Sequence, residues 1–179
     1  GRKYDEFNSL FFTAFVLIVI DPLTIFDIGF QLSFLAMMGI FLYYSIIRKG
    51  IYFKNKLFQM AWDGTAIGFA AQIMTTPLSL YYFHQFPNYF LLSNLGLMAT
   101  SGAVLGLGLA LFAFSWIPFV NLFIALMLSL SLFLSLRFLE WVADLPGAVA
   151  YGFNVSIWEV VGLFVIAVLY VYLRNSKIW

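Results

Sequence analysis

Cysteine is absent from this chain and histidine occurs once. The first absence excludes disulfides, thiolate metal sites and cysteine nucleophiles, and the second excludes a multi-histidine metal centre. Charge is scarce as well: 9% of the residues are charged, against about 25% in a soluble domain. There is no Gly-rich phosphate loop, no defensible Ser/His/Asp spacing and no metal-ligand cluster, so no catalytic constellation is expected and no cofactor is implied. The chain opens at Gly1 with no initiator methionine, basic n-region or small-residue cleavage site. It is read as a piece of a longer membrane protein with no signal peptide to remove.

What is present is apolar. Hydrophobic residues make up 64% of the 179 positions, and the mean hydropathy is +0.99. No water-soluble fold of this size can bury that much apolar surface, so the solvent must be lipid. The expectation is an all-α, polytopic transmembrane helix bundle of about six spans, each near the roughly 17 to 25 residues a crossing needs.

The breaks between spans carry recognisable signals. The first span runs from about Tyr4 to Ile20 and ends at Asp21-Pro22. The second is predicted to begin at Thr24, with Thr24-Ile25-Phe26-Asp27 as a capping box, and to continue to Ile47 before Arg48-Lys49-Gly50. The third, about Leu57 to Tyr82, is the most polar, with Gln59, Asp63, Thr65, Gln72, Thr75, Thr76 and Ser79. Pro77 inside it predicts a kink or a break into two half-helices. The fourth covers about Tyr89 to Phe114. The fifth starts at Ser115-Trp116-Ile117-Pro118, with an N-cap and a first-turn proline. It runs towards Trp141, where Arg137, Glu140 and Asp144 are expected to leave the hydrocarbon. The sixth, about Ile157 to Leu173, opens with a capping box at Ser156-Ile157-Trp158-Glu159. Leu126 to Leu136 alternates like a barrel strand, but the neighbouring spans are too long for strands, and their apolar runs do not alternate.

Lysine and arginine placement orients the spans. With the N-terminus inside and six crossings, Arg2, Lys3, Arg48, Lys49, Lys54, Lys56, Arg174 and Lys177 fall on one side, eight of the nine basic residues. This bias predicts that both termini are cytoplasmic. The basic loop 48–56 could also meet DNA phosphates or anionic lipid, although topology alone accounts for it. The Asn154-Val155-Ser156 sequon is too short to carry weight.

Small residues form stripes that let membrane helices approach closely. Gly64, Gly68, Ala71 and Thr75 share one face of the third span. Ala99, Ala103, Gly106 and Ala110 repeat that spacing in the fourth, where Gly102 and Gly106 make a Gly-xxx-Gly pair. Gly29, Ser33 and Ala36 keep it in the second, and Gly39 continues a drifting face. Spans two to four are therefore expected to pack as a tight central bundle.

Polar groups in lipid are the functional candidates by default. Gln31 and Gln72 each need a hydrogen-bond partner, either another helix or a polar pore lining. Asp27 is accounted for at a helix start, and Asp21 by the proline break and exposure. His84 and Asn94 read as interfacial polar residues or, with the two glutamines, as a polar path. The aromatic content of 21% could stack nucleobases, but interfacial belts explain most of it.

Asp21-Pro22 followed by Asp27-Ile28-Gly29-Phe30-Gln31-Leu32-Ser33-Phe34-Leu35-Ala36 closely resembles the hallmark of ComEC-type competence proteins. Gly1-Arg2-Lys3 through Asp5, Asn8, Ser9 and Leu10 looks like the lead-in to it. Gln72 through Thr76-Pro77-Leu78, Tyr82-Phe83-His84, Ser93-Asn94-Leu95 and Trp141 to Gly147 are similar to later blocks in the same order. The family-motif residues are thus Asp21, Pro22, Asp27, Gly29, Gln31, Ser33 and Pro77. One departure follows Ser93-Asn94-Leu95, where the family pattern implies a proline and Gly96 to Ser101 has none, which puts the local shape near Asn94 in doubt.

The resemblance implies that residues 1–179 are a partial competence-type transmembrane domain. It would be a segment of the inner-membrane channel that takes up single-stranded DNA during natural transformation. The family's OB-like and metallo-β-lactamase-like domains, the latter associated with strand degradation, have no counterpart in this sequence; a lone His84 cannot supply a His-rich metal motif. The partners implied are the lipid bilayer, single-stranded DNA, the remaining domains of the parent protein and other competence components, with self-association as a further option. Against the channel reading stand a small-solute permease segment, suited to a Pro-broken polar span beside Gly-rich helices, and a structural membrane bundle. No internal inverted repeat supports the permease.

Overall fold

The computed structural model describes residues 6–176, with side chains through Arg174. The lead-in at Gly1, Arg2, Lys3 and Asp5 and the tail at Lys177 lie outside the described residues. Long apolar runs with polar punctuation fold into helices α1 (Glu6–Ile20), α2 (Ile28–Arg48), α3 (Lys56–Phe83), α4 (Phe90–Ala113), α5 (Pro118–Ala143) and α6 (Ile157–Ser176). A 3-10 turn, Pro22–Phe26, joins α1 to α2. Strands β1 (Gln85–Pro87) and β2 (Val149–Tyr151) pair in a two-stranded sheet. The fold is all-α in character and membrane-type. The two short strands are not foreshadowed by any alternation, because three residues are too few to show a period.

Among the described residues, four helices are long and apolar enough to cross a membrane by length and composition: Ile28–Arg48, Phe90–Ala113, Pro118–Ala143 and Ile157–Arg174. With α1 and α3, which fall outside that length-and-composition test, the span count is four to six, in keeping with the expected number. The 15 residues of α1 rise about 22 Å, short of a hydrocarbon core of about 30 Å. At 28 residues α3 is long enough, but the polar residues along it lower its hydropathy. Large side chains such as Phe112, Phe119 and Trp158 are more than four-fifths exposed, as lipid-facing side chains should be.

Capping differs from expectation at α2. Asp21 is the N-cap of the 3-10 turn, its Oδ1 accepting from the Leu23 N–H at 3.0 Å. Asp27 is the N-cap of α2, its Oδ1 accepting from the Phe30 N–H at 2.8 Å. The Thr24–Asp27 capping box is therefore corrected: the chain starts two helical pieces here, and each acid satisfies donors at the start of one. Asp21 likewise has a structural task beyond exposure.

At α5, Pro118 occupies the first helical position, but Ile117 is the N-cap and makes no side-chain bond. Ser115 lies in the preceding turn. Later in this helix Arg137 pairs with Glu140 at 3.1 Å, both largely exposed. The capping box at Ser156 forms as read: the Ser156 N–H donates to Glu159 Oε2 at 2.7 Å and the Glu159 N–H to Ser156 Oγ at 3.4 Å.

Helix α3 does not break at Pro77, and its helical run continues to Phe83. Proline cannot donate to the Ile73 carbonyl. The neighbouring hydroxyls bond back to other carbonyls of the same helix, Thr75 to that of Ala71 at 3.1 Å and Thr76 to that of Gln72 at 2.7 Å, and Pro77 is buried. The helix ends at His84, which takes left-handed geometry (φ 53°) and donates its N–H to the Leu80 carbonyl.

The chain divides into two compact units, Gly1–Phe86 with Tyr151–Trp179, and Pro87–Ala150. In the first, α2 and α3 run antiparallel, since Gln31 meets Tyr82, Gly39 meets Ala70 and Arg48 meets Asp63. Its core is Tyr43, Ala70, Met74 and Val171, from α2, α3 and α6. Burial inside lipid gains little from solvent transfer, so these contacts stabilise mainly by dispersion and close approach. The second unit is the antiparallel hairpin of α4 and α5. Gly96 faces the Phe138 ring, and the Asn88 and Tyr89 side chains donate to the Gly147 and Pro146 carbonyls.

Candidate functional site

The motif 21–36 builds one wall of a cleft in the first unit. Asp27 fixes the start of α2, and Gly29 leaves room for it: a Cβ at Gly29 would lie 3.0 Å from the Asp27 carboxylate oxygen. Gly29 is thus a clearance for the cap, a different task from the helix packing expected of it. One turn on, Phe30, Gln31, Phe34 and Leu35 line a cleft of about 570 Å³ with Phe11, Phe15 and Ile18 of α1, Ile25 of the 3-10 turn and Leu78 of α3. Phe34 meets Phe11 edge to face at 5.6 Å and stacks on Phe30 at 6.1 Å.

Among the described residues, Gln31 is the one polar side chain that lines this cleft. Its Nε2 donates to the Ile25 carbonyl at 2.8 Å, and its Oε1 accepts from the Tyr82 hydroxyl at 3.1 Å. A primary amide has two N–H groups and two acceptor lone pairs. One of each is used here, which holds the amide rigidly and leaves it capacity to bond a further polar group.

The other candidates lie apart from this cleft. Gln72 donates to the Thr76 hydroxyl at 3.1 Å, a bond within its own helix. Thr76 and Pro77 line a second cleft of about 620 Å³ with Tyr43, Ile73 and Tyr170, and Gln72 does not. His84 is exposed, with its Nδ1 3.0 Å from the Phe153 carbonyl oxygen, which ties the end of α3 to the approach to α6. Asn94 is exposed on α4 and belongs to the second unit. Within the first unit, Gln31, Gln72 and His84 therefore do not converge on one lining.

The packing residues also sort themselves. At Gly39 a Cβ would collide with the Ala70 carbonyl oxygen and lie 3.1 Å from Met74 Cβ, so two backbones touch there. Ala36 is half-buried and Ser33 exposed. The buried stripe of α3 is Ala66, Ala70, Met74 and Pro77, one face over from Gly64, Gly68 and Ala71, which are half-buried. Gly102 and Gly106 have open space where a Cβ would stand. The Gly-xxx-Gly pair of α4 packs against nothing among the described residues, because α5 meets α4 on the Gly96 face.

Several partners escaped the sequence reading. Tyr43 donates its hydroxyl to the Ala167 carbonyl and stacks on Tyr170 at 6.5 Å. Arg48 Nε donates to Asp63 Oδ1 at 2.9 Å, and Gln59 Nε2 donates to the same oxygen at 2.8 Å. A signal existed for these: a tyrosine or acid several residues inside a span must find a partner in lipid. Sequence alone does not say which one.

A family model described as Competence protein matches residues 1–177. No curated protein and no solved structure matches the chain.

Proposed function

The chain belongs to the Competence protein family, and from that premise we propose that it is a membrane-channel segment for uptake of single-stranded DNA in natural transformation. The observation that carries the reading is Gln31, an amide fixed between Ile25 and Tyr82 with bonding capacity left over, at the wall of an otherwise apolar cleft. It lies within the run that most resembles the family hallmark. In this reading Gln31 offers a polar contact to a passing strand. The role is passage and not catalysis. We place the chain in the inner membrane on the strength of its family and, with all six helices crossing, both of its ends in the cytoplasm on the strength of its lysine and arginine bias.

A second reading is favoured by a specific observation: Gln72 is already paired with Thr76 inside α3, and Gln31 bonds across to Tyr82. On this reading Gln31 serves to hold α2 to α3, and Gln72 satisfies itself within α3. The test replaces Gln31 and, separately, Gln72 by leucine in the full-length parent and measures transformation at matched membrane level. Gln31→Leu is expected to depress DNA uptake by an order of magnitude, while Gln72→Leu changes it little. Normal uptake with Gln31→Leu eliminates the path role, and loss of the protein from the membrane supports the structural bundle.

A further inference from the structure

We propose that residues 49–58, the linker after α2 and the first turn of α3, form a docking surface for anionic phospholipid headgroups. Lys49, Lys54 and Lys56 are exposed there, and no ion pair engages them among the described residues. The nearby acid Asp63 is already held by Arg48 at 2.9 Å. Three ammonium groups are therefore left to complement negative charge.

The segment is built and not slack. Asn55 caps α3, accepting from the Leu57 N–H at 2.9 Å. Gln59 Oε1 accepts from the Phe53 N–H at 2.9 Å while its Nε2 donates to Asp63. Trp62 Nε1 donates to the Arg48 carbonyl at 3.2 Å, and Gly50 closes a turn on Ile47. Little conformational entropy is lost when such a surface binds.

Its apolar side chains decide the partner. Tyr52 is 82% exposed, Leu57 66% and Phe58 61%, with Ile51 and Met60 exposed beside them. A single strand of nucleic acid could stack on Tyr52 and Phe58, but aliphatic side chains offer it no π-face and would stay in water. A lipid surface covers all of them: rings and aliphatic groups enter the acyl boundary while the lysines reach the phosphates. The antiparallel α2 and α3 also bring their linker to a membrane face by construction. The lipid site goes beyond the channel reading and does not depend on it.

The test uses the whole chain in nanodiscs and compares spin-labelled phosphatidylglycerol with spin-labelled phosphatidylcholine for association with the protein. Wild type is expected to prefer phosphatidylglycerol severalfold, with the preference falling as salt rises. Lys49→Gln/Lys54→Gln/Lys56→Gln should cut that preference by about fivefold or more, since each basic residue near an anionic surface contributes measurably. The triple lysine-to-arginine variant keeps the charge and should keep the preference. Equal association of the two lipids with wild type, or a glutamine variant unchanged from it, overturns the proposal. A fluorescent thymidine oligonucleotide provides the other arm: loss of its binding in the glutamine variant, with lipid preference intact, would assign the surface to nucleic acid instead.

Discussion

In the first unit, side chains carry bonds from one helix to another: Tyr82 to Gln31, Tyr43 to the Ala167 carbonyl, Arg48 to Asp63. In the second, the hydroxyls of the membrane helices turn back on themselves. Thr100 donates to Gly96, Ser101 to Met98, Ser129 to Leu126, Ser131 to Met127 and Ser135 to Ser131, each to a carbonyl of its own helix. Side-chain bonds between chain segments of that hairpin occur at its ends, from Asn88 and Tyr89. Back-bonded hydroxyls satisfy the need for partners in lipid without choosing a neighbour. The first unit is thus specified by directional bonds and a backbone contact at Gly39, and the second by the fit of Gly96 to Phe138.

This contrast is broken most sharply at the glycines. Gly39→Val would drive two methyl groups into the Ala70 carbonyl and the Met74 side chain, and overpacking of this kind costs about 3 kcal/mol or more where backbone cannot yield. Unfolding in mixed micelles titrated with a denaturing detergent should register that loss. Gly102→Val meets nothing within 4 Å and should fall within about 0.5 kcal/mol of wild type. Equal losses at the two sites would abolish the distinction between the units.

Gly96→Val is intermediate. Its new atoms meet the Phe138 ring and not backbone, so the ring can swing at a cost of about 1 to 2 kcal/mol. A smaller residue at 138 should rescue it: Gly96→Val with Phe138→Leu is expected to be more stable than Gly96→Val alone. The bond from Tyr82 to Gln31 ranks next. A double-mutant cycle of Gln31→Leu and Tyr82→Phe should return a coupling of about 0.6 kcal/mol, the mean for interhelical hydrogen bonds in membranes. A coupling near zero would mean that the two groups act independently.

Much of this was legible beforehand for physical reasons that differ by feature. Span positions follow from apolar length, and the Ser156–Glu159 cap from a local pattern whose two bonds close within four residues. Asp27 reads as belonging to a helix start, but its place in the cap does not follow, because Thr24 and Asp27 fit a capping box as well as Asp21 and Asp27 fit two separate caps. Only the 3-10 turn, held by Asp21 and Pro22, decides between them. At Pro77 the sequence allows a kink or a break, and the helix continues past it to Phe83. Within the candidate site, Gln31 stood out as an amide in lipid, whereas Tyr82 lies 51 positions away in sequence, and no periodicity reports a pairing over that distance. The choice of the Gly96 face over the Gly102 face was illegible too, since both present small residues at helical spacing.

The smallest effect tests the back-bonding account directly. Ser131 Oγ donates to the Met127 carbonyl at 2.9 Å and is followed one turn on by Ser135, which donates to the Ser131 carbonyl at 2.7 Å. If these hydroxyls satisfy only themselves, Ser131→Ala removes a donor together with its need for a partner. The Met127 carbonyl keeps its ordinary bond from the helix backbone. The change should therefore lie within about 0.5 kcal/mol of zero. Combining Ser131→Ala with Ser135→Ala should add without coupling, since neither side chain bonds the other's hydroxyl. Had either serine bonded α4, its loss would strand an acceptor in a non-aqueous setting and cost about 1 kcal/mol or more. A loss of that size in the single variants would move the second unit into the same class as the first, with its hairpin fixed by directional bonds as well as by the seat of Phe138 on Gly96.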